Sequence, residues 1–381
     1  YIGGEPGRII KDKEKVEARI VFCLPDMYEV GMSHLGMKIL YSIYNSHENM
    51  WCERVFAPDV DMEKIMRERN IPLYGLESFD PIKEFDFIAF TLQYELSFTA
   101  ILNMLDLAGL PVRAKDRKEL APIVIGGGPC ACNPEPIADF FDLFVLGEGE
   151  EVNTELTELY IKAKKAGWSK EQYLKEAAKI KGIYVPSFYD ISYNENGTVK
   201  AITPNTPEAP EKVTKTIIKD LSKVFYPKNF VVPFVEPIHD RAMLEVLRGC
   251  IRGCRFCQAG FIYRPFREKD KDVLKENAKT ICENTGYEEI SLTSLSTSDY
   301  SNIEPLLDDI LPWAEQNKIN VSLPSLRVDN FSKELLDRIS SVRKSGLTFA
   351  PDAGKQRLRD VINKNVTEGE IIRTMTTAFE G

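Results

Sequence analysis

The chain has 381 residues, is 43% hydrophobic and carries a formal net charge of −9. This length predicts two or three domains, because a domain averages about 150 residues. The acidic balance, with basic residues scattered, argues against a protein that holds nucleic acid or an anionic membrane by charge alone. No apolar run approaches the roughly 20 residues of a membrane helix, so we expect no membrane partner.

Cysteine usage indicates a reducing compartment. Three of the eight cysteines fall within residues 250–257, which is typical of metal binding rather than of a disulfide framework. The chain begins without a signal-peptide pattern. We therefore expect a cytoplasmic protein. We also expect the sequence, which starts at Tyr1, to be part of something longer.

Residues 1–185 predict a doubly wound parallel sheet, because short apolar runs alternate with helical patterns. In such sheets ligands bind at the carboxyl ends of the strands. The predicted strands are Ala18–Leu24, Val55–Phe56, Phe87–Thr91, Ile123–Ile125 and Leu143–Leu146. The predicted helices are Leu35–Asn45, Asp61–Arg69, Ser97–Leu107, Pro136–Phe140 and Lys162–Lys181.

Two glycine-rich turns follow predicted strands of this region. One contains Gly126, Gly127 and Gly128, and the other contains Gly147 and Glu148. Glycine permits close approach of a ligand, but it serves a tight turn equally well. A GxGxxG motif is absent from the sequence, which disfavours a nicotinamide site.

Residues 186–240 predict a proline-rich connector. Its recurring prolines disfavour a regular helix, and Asn194–Gly197 predicts the turn of a small β-hairpin. The simplest interpretation is a spacer between two domains.

Residues 241–381 again alternate strands with helices, which predicts a partial (β/α) barrel with its chemistry at the carboxyl ends of the strands. We expect about four βα units, after which the barrel is truncated. The predicted strands are Ala242–Leu247, Glu289–Thr293, Asn320–Leu323 and Gly346–Ala350. The predicted helices are Lys269–Asn284, Ile303–Asn317, Ser332–Val342 and Gly354–Asn363.

The first strand of this region leads into a cysteine motif, CIRGCRFC, with Cys250, Cys254 and Cys257 spaced CxxxCxxC. Thiolates that converge in one loop suit zinc or an iron–sulfur cluster. A four-iron cluster normally takes four cysteines, so three leave one iron open. The alternative is a zinc site with His239 as fourth ligand, although zinc sites usually show a second paired arm and this sequence has none.

The motif, with Phe256 before its third cysteine, resembles that of the radical S-adenosylmethionine (SAM) enzymes. The resemblance implies a 4Fe-4S cluster whose open iron binds SAM and, when reduced, cleaves it to methionine and a 5′-deoxyadenosyl radical. It also implies an electron donor such as flavodoxin or ferredoxin. Residues in positions that contact SAM in this family are Phe256, Ser294, Ser296, Ser325, Arg327 and Asp352. The family's GGE segment is replaced by serines at 294–299, and Asp352 stands where glutamate is more usual.

The N-terminal region resembles the cobalamin-binding domain that precedes many radical SAM cores, on the run from Val124 to Glu150. The implied cofactor is cobalamin. The DxHxxG signature of a cobalt-ligating histidine is absent, and His34 is expected to be a loop or helix-cap histidine. Positions that contact the corrin in this resemblance are Thr91, Gln93, Tyr94, Gly126, Gly127, Gly128, Gly147 and Glu148.

The sequence leaves three functions open. The first is a cobalamin-dependent radical SAM enzyme that transfers methyl to an unactivated carbon. The second is a radical SAM enzyme without cobalamin, acting in methylthiolation or rearrangement. The third is a non-catalytic iron–sulfur or zinc protein. The sequence names no catalytic residue beyond the cofactor ligands, and its substrate class (small molecule, RNA or protein) stays open.

Overall fold

A computed structural model describes residues 2–330, 334, 338 and 347–380. The chain forms two compact units, one from residues 1–218 with 231–238 and one from residues 219–230 with 239–381. The segment between 186 and 240 is thus divided between them. Among the described residues, no helix is long and apolar enough to cross a membrane.

The first unit is built on a six-stranded sheet in the order β2-β1-β3-β4-β5-β6. Its first five strands are parallel and β6 runs antiparallel to β5. Both faces are covered by apolar side chains, as a buried parallel sheet requires. The strands are β1 Ala18–Leu24, β2 Met50–Phe56, β3 Phe87–Thr91, β4 Ile123–Gly127, β5 Leu143–Val145 and β6 Ile183–Tyr184.

Strand β2 begins at Met50, five residues before the predicted start at Val55. Glu53 and Arg54 interrupt its apolar pattern, yet both side chains are buried. Each is neutralised inside the protein: Glu53 lies 2.8 Å from Arg19, and Arg54 pairs with Glu77. Burial of a paired charge cannot be recognised from hydrophobicity, which explains why the strand was predicted too short.

Helices of the first unit lie between the strands in the predicted order. Lys162–Lys181, predicted as one helix, is two, because Gly167 takes a φ of 67° and Ser169 forms a capping box with Gln172. The predicted helix Pro136–Phe140 is a 3-10 segment, Glu135–Phe140. The α-helices are α1 Tyr28–Gly31, α2 Leu35–Ser46, α3 Val60–Arg69, α4 Phe98–Leu107, α5 Val152–Ala166 and α6 Lys170–Ala177.

The predicted hairpin of the connector is present, and it belongs to the first unit. Strands β7 (Tyr189–Tyr193) and β8 (Val199–Pro204) pair antiparallel across a turn in which Gly197 has a φ of 81°. Further along, Thr216 pairs with Gly147 after strand β5. The connector therefore contributes structure to the edge of the sheet.

The second unit has a parallel sheet in the order β13-β12-β9, with a short antiparallel pair, β10 and β11, beside it. Its strands are β9 Ala242–Glu245, β10 Leu247–Arg248, β11 Arg267–Glu268, β12 Glu289–Thr293 and β13 Asn320–Ser322. Its helices among the described residues are α7 Ala259–Ile262, α8 Lys271–Thr285, α9 Ile303–Gln316, α10 Gln356–Val361 and α11 Glu368–Glu380.

The fourth βα unit differs from the prediction as far as the structure describes it. The predicted helix Ser332–Val342 lies largely outside the described residues. The described part of the fourth predicted strand, residues 347–350, is not a strand, and Thr348 and Ala350 are exposed. Three parallel strands therefore carry the described strand-end loops of this unit.

Replacing Arg54 with methionine should strongly destabilise the first unit. Arg54 is 1% exposed and binds Glu77 at 2.6 Å and Glu5 at 3.0 Å. Removing one partner of a buried ion pair costs about 3–5 kcal/mol, because the other charges stay buried. Urea denaturation should show this loss. The matched control, Arg67→Met, also removes a cation bound by two carboxylates, but at the surface. Equal effects of the two substitutions would contradict the prediction.

Candidate functional site

The cysteine loop begins where strand β10 ends, and its first turn depends on Gly249. This residue has a φ of 88°, and an added Cβ would lie 2.8 Å from the carbonyl oxygens of both Tyr263 and Pro265. Only glycine fits that conformation and that space. The turn brings Cys250 and Cys257 to partly exposed positions and leaves Cys254 buried.

Backbone N–H groups are directed at two of the three sulfurs. The N–H of Arg252 donates to Cys250 Sγ at 3.4 Å, and the N–H of Gly260 donates to Cys257 Sγ at 3.4 Å. Hydrogen bonds to cysteine sulfur stabilise the thiolate and tune the potential of an iron–sulfur cluster. This donor chemistry fits such a cluster.

Within the described residues, no group of three or more Cys, His, Asp or Glu side chains is arranged to hold a single ion. Tetrahedral zinc would need every sulfur at about 2.3 Å from one point. A four-iron cluster instead binds each thiolate through a different iron. His239 precedes strand β9, contacts Arg241 at 2.8 Å, and lies at the other end of the strand from the cysteine loop.

Three contacts tie the cysteine loop to distant segments of the second unit. Arg252 binds Asp299 through two nitrogens and lies 3.2 Å from Asp329. Asn363 Nδ2 donates to the carbonyl of Gly253 at 2.8 Å. The N–H of Arg255 donates to the carbonyl of Ile362 at 2.9 Å. The loop is therefore held in place by the strand-end loops after β12 and β13 and by the end of helix α10.

The serines predicted to contact SAM lie on the loop after β12. Ser296 Oγ donates to Asp299 Oδ2 at 2.7 Å, and Ser294 Oγ accepts from the N–H of Ser296 at 3.1 Å. The N–H of Thr297 donates to the carbonyl of Ser325 at 3.1 Å, which joins this loop to the loop after β13. The structure thus brings Ser294, Ser296 and Ser325 together.

Arg327 joins the same network. Its Nε and Nη2 bind the two oxygens of Asp329 at 2.8 and 3.1 Å, and Nη2 also donates to the carbonyl of Lys364 at 3.3 Å. Lys364 pairs with Asp352, and its ammonium lies 5.8 Å from the ring centre of Phe256. All six predicted SAM-contacting residues therefore belong to segments that touch one another around the cysteine loop.

Charge within this network is balanced. Burial alone would raise the pKa of Asp299, but hydrogen bonds from Arg252 and Ser296 outweigh burial and hold that pKa below its ordinary value. The pKa of Arg252 is raised, chiefly by its hydrogen bond to Asp299. The pair is thus ionised, and its guanidinium cannot be deprotonated in a working pH range.

Sequence reasoning did not single out Arg252, Asp299 or Asp329. One signal was available for Arg252, because an arginine between two closely spaced cysteines is well placed to bind carboxylates on neighbouring loops. The two aspartates gave no such signal, since each stands in an ordinary polar strand-end loop.

In the first unit, the strand order places a change of direction between β1 and β3, where parallel sheets of this kind bind ligands. Thr91 is the last residue of β3, and Gln93 and Tyr94 follow that strand at this crevice. The Gln93 amide contacts Thr91 and also His34, and Tyr94 OH donates to Asp26 Oδ2 at 2.9 Å. These three residues therefore lie at the expected edge of the sheet.

The five predicted positions in the glycine-rich turns differ in what surrounds them. A Cβ on Gly126 would lie 2.6 Å from the Phe144 ring, and one on Gly147 would lie 2.3 Å from the Thr216 carbonyl oxygen. Glu148 accepts a hydrogen bond from the N–H of Ile218. By contrast, a Cβ on Gly127 would meet only the Val145 carbonyl oxygen, at 3.9 Å, and Gly128, with a φ of 97°, borders Gln93. Gly126, Gly147 and Glu148 thus serve contacts within the unit, while Gly127 and Gly128 lie beside the end of β3, where Gly127 pairs with Thr91.

His34 is a helix cap, as expected. Its Nδ1 accepts a hydrogen bond from the N–H of Met37 at 3.0 Å at the start of α2. Burial lowers its pKa, which keeps the ring neutral. His34 uses one ring nitrogen to cap the helix and also contacts Gln93, so it is not positioned as a metal ligand.

Comparison with known families identifies the class. The family model "Radical SAM proteins, N-terminal" matches residues 36–186, and the model "Radical SAM superfamily" matches residues 244–381. The two models together match most of the chain, which belongs to the radical SAM superfamily of enzymes.

The chain is also similar to individual proteins along most of its length. The chain is 27% identical over 376 residues to uncharacterized protein MJ0966 of Methanocaldococcus jannaschii, covering 96% of this chain and 67% of the relative. The fold of this chain is similar to that of the radical SAM methyltransferase TsrM from Kitasatospora setae. A structure of TsrM with cobalamin and a 4Fe-4S cluster matches with TM-score 0.61 and 13% identity, covering 95% of this chain and 65% of TsrM.

A second TsrM structure, with tryptophan substrate and the SAM analogue aza-SAM, matches with TM-score 0.60 and 13% identity. The match covers 95% of this chain and 66% of TsrM. The chain thus spans just under two thirds of the length of these solved structures.

Substituting Gly249 by alanine should disable the cysteine loop while the rest of the unit folds. The added Cβ meets two backbone oxygens that cannot move independently, so the loop must rearrange. We expect iron incorporated during anaerobic reconstitution to fall by roughly half or more, given about 1–3 kcal/mol of local strain. Iron analysis measures this directly.

Gly286→Ala is the matched control. Gly286 also has a positive φ, 75°, in the same unit, but nothing lies within 4 Å of an added Cβ. Because Gly286→Ala has the same kind of backbone strain but no steric clash, this variant should retain its iron. Equal iron content in the two variants would show that the geometry of the Gly249 turn is unimportant.

Proposed function

We propose that this protein binds a 4Fe-4S cluster through Cys250, Cys254 and Cys257, cleaves SAM reductively, and uses cobalamin to transfer a methyl group to an unactivated carbon. The observation that supports this best is the cysteine loop, held by ion pairs and hydrogen bonds against the carboxyl ends of β12 and β13. A purely structural cluster gains nothing from such placement beside polar strand ends. A one-electron donor of the flavodoxin or ferredoxin type would supply the electron.

When bound, the cluster and SAM supply the 5′-deoxyadenosyl radical that activates the substrate carbon. The chain's own residues hold both in place. The N–H groups of Arg252 and Gly260 stabilise the thiolates of Cys250 and Cys257. Phe256, 54% exposed, offers an aromatic face beside the third cysteine.

The strand-end loops offer the groups that SAM's amino and carboxylate ends require. Ser296 Oγ donates its proton to Asp299, so its lone pairs are left to accept from an ammonium group. Ser294 stands two residues earlier on the same loop. Arg327 and Lys364 place cationic groups nearby, with Arg327 shared with Asp329 and Lys364 shared with Asp352. We assign Ser325 and Asp352 to the same site.

Cobalamin is supported by the fold of the first unit, which is similar to that of TsrM, a methyltransferase whose structure contains cobalamin. We place the corrin at the crevice between β1 and β3, against Thr91, Gln93, Tyr94, Gly127 and Gly128. The edge there is open at Gly127, and Tyr94 is 45% exposed. His34 would leave the lower face of cobalt without a histidine ligand.

A second candidate keeps SAM cleavage and leaves cobalamin out. One observation favours it: Thr216 and Ile218 occupy the turn at Gly147 and Glu148, which the resemblance assigned to the corrin. In that case the first unit would be a scaffold or substrate-binding domain, and the reaction a methylthiolation or rearrangement. For either candidate, an oxygen-sensitive cluster fits the reducing cytosol.

Cys254→Ala should abolish formation of 5′-deoxyadenosine, with a loss on the order of a hundredfold or more, because two thiolates hold a cluster poorly. The assay is mass spectrometry after anaerobic reconstitution with reductant and SAM. Cys282→Ala is the control: this thiol is buried in α8 of the same unit, and burial raises its pKa to about 11. Survival of turnover in Cys254→Ala would overturn the ligand assignment.

Gly127→Val should weaken cobalamin binding about tenfold or more by filling the crevice edge with a branched side chain. The unit should still fold, since an added Cβ meets nothing closer than 3.9 Å. Cobalamin affinity is measured by titration of its visible spectrum. Gly354→Val is the control, because this glycine lies in the second unit and nothing lies within 4 Å of an added Cβ.

If the parent protein binds no cobalamin yet forms 5′-deoxyadenosine, the second candidate is the correct one.

A further inference from the structure

Arg252 is the residue at which the cysteine loop meets both strand-end loops of the second unit. Its Nε donates to Asp299 Oδ2 at 2.9 Å, its Nη2 binds the other oxygen of Asp299, and its Nη1 lies 3.2 Å from Asp329 Oδ2. Asp299 follows β12 and Asp329 follows β13. A side chain located between Cys250 and Cys254 thus links two strand ends that lie far along the chain.

This linkage is specific in geometry as well as charge. Asp299 is 2% exposed, and a carboxylate buried that deeply is stable only when its oxygens are satisfied. The planar guanidinium satisfies both oxygens of Asp299 and still reaches Asp329. A lysine ammonium is a point charge on a flexible stem and cannot reproduce that fork.

The linkage also extends to the residues that we assign to SAM. Asp299 accepts from Ser296, and Asp329 binds Arg327 through both of its oxygens. Any rotation of Arg252 would disturb both aspartates, and with them the hydroxyl and the guanidinium of the proposed SAM site. Arg252 therefore couples the cysteine loop to that site.

We propose that Arg252 is a positioning residue that fixes the cysteine loop relative to the strand ends where SAM binds. The SAM part of this proposal rests on the proposed function, while the loop part does not. It follows that loss of Arg252 loosens the loop even without metal, and that in the loaded enzyme it weakens SAM binding more than it slows turnover at saturation.

The first test uses metal-free protein and amide hydrogen exchange. In the parent protein the N–H groups of Arg255 and Cys257 are hydrogen-bonded, to Ile362 and Cys254 respectively, and should exchange slowly. In Arg252→Gln they should exchange about tenfold faster or more, because local opening is easier. Arg252→Lys should lie between the two.

Arg241→Gln is the matched control. Arg241 also pairs with a partly buried carboxylate, Glu289 at 2.8 Å, but at the amino end of the same sheet. It should leave exchange at residues 255 and 257 unchanged. If Arg252→Gln exchanges like the parent, or if Arg241→Gln accelerates exchange equally, the loop part of the proposal is wrong.

The second test uses anaerobically reconstituted protein. For Arg252→Gln we expect the KM for SAM to rise about tenfold or more with a smaller change in kcat, and the change in the cluster's electron paramagnetic resonance (EPR) spectrum on adding SAM to weaken. Arg252→Lys should restore part of the SAM affinity and part of the EPR response.

Lower iron content with unchanged KM and EPR response would mean a merely structural role and would overturn the SAM part. If the parent protein itself does not cleave SAM, the proposed function fails and the hydrogen-exchange result alone decides the loop part.

Discussion

The ion pairs between Arg252 and the two aspartates Asp299 and Asp329 are the interaction on which the site depends. A loop of eight residues that presents three thiols has few internal contacts to hold it, so its position must be set from outside. Here it is set by strand-end loops of the sheet and by Asn363. The parallel sheet supplies the frame, since its strands end at one edge and their loops converge there.

In both units the loops after the strands meet at one edge of a parallel sheet, but the two edges carry different side chains. In the second unit the strand-end loops carry paired charges and hydroxyls that meet the cysteine loop. In the first unit the edge between β1 and β3 carries Thr91, Gln93 and Tyr94, and Tyr94 donates to Asp26 across it. A small charged ligand suits the first kind of edge, and a larger ligand held by hydrogen bonds and ring contacts suits the second. The two edges therefore suit different ligands.

Most of the sheet of the first unit could be predicted, because four of its strands are apolar runs followed by turns. The start of β2 could not, since Glu53 and Arg54 are buried through partners distant in the sequence. The cysteine loop was evident from spacing alone. The ion pairs around the loop could not be predicted, because Asp299 and Asp329 come within reach of Arg252 only when β12 and β13 lie side by side. The pairing of Thr216 with Gly147 was missed for the same reason, as a glycine turn gives no indication of what approaches it.

The central claim is that three cysteines hold a four-iron cluster with one iron left for SAM. Mössbauer spectroscopy of anaerobically reconstituted protein, with and without SAM, tests it most directly. We expect one iron site to differ from the other three and its signal alone to shift when SAM is added. Iron sites that do not respond to SAM, or a colourless protein containing tetrahedral zinc, would contradict it.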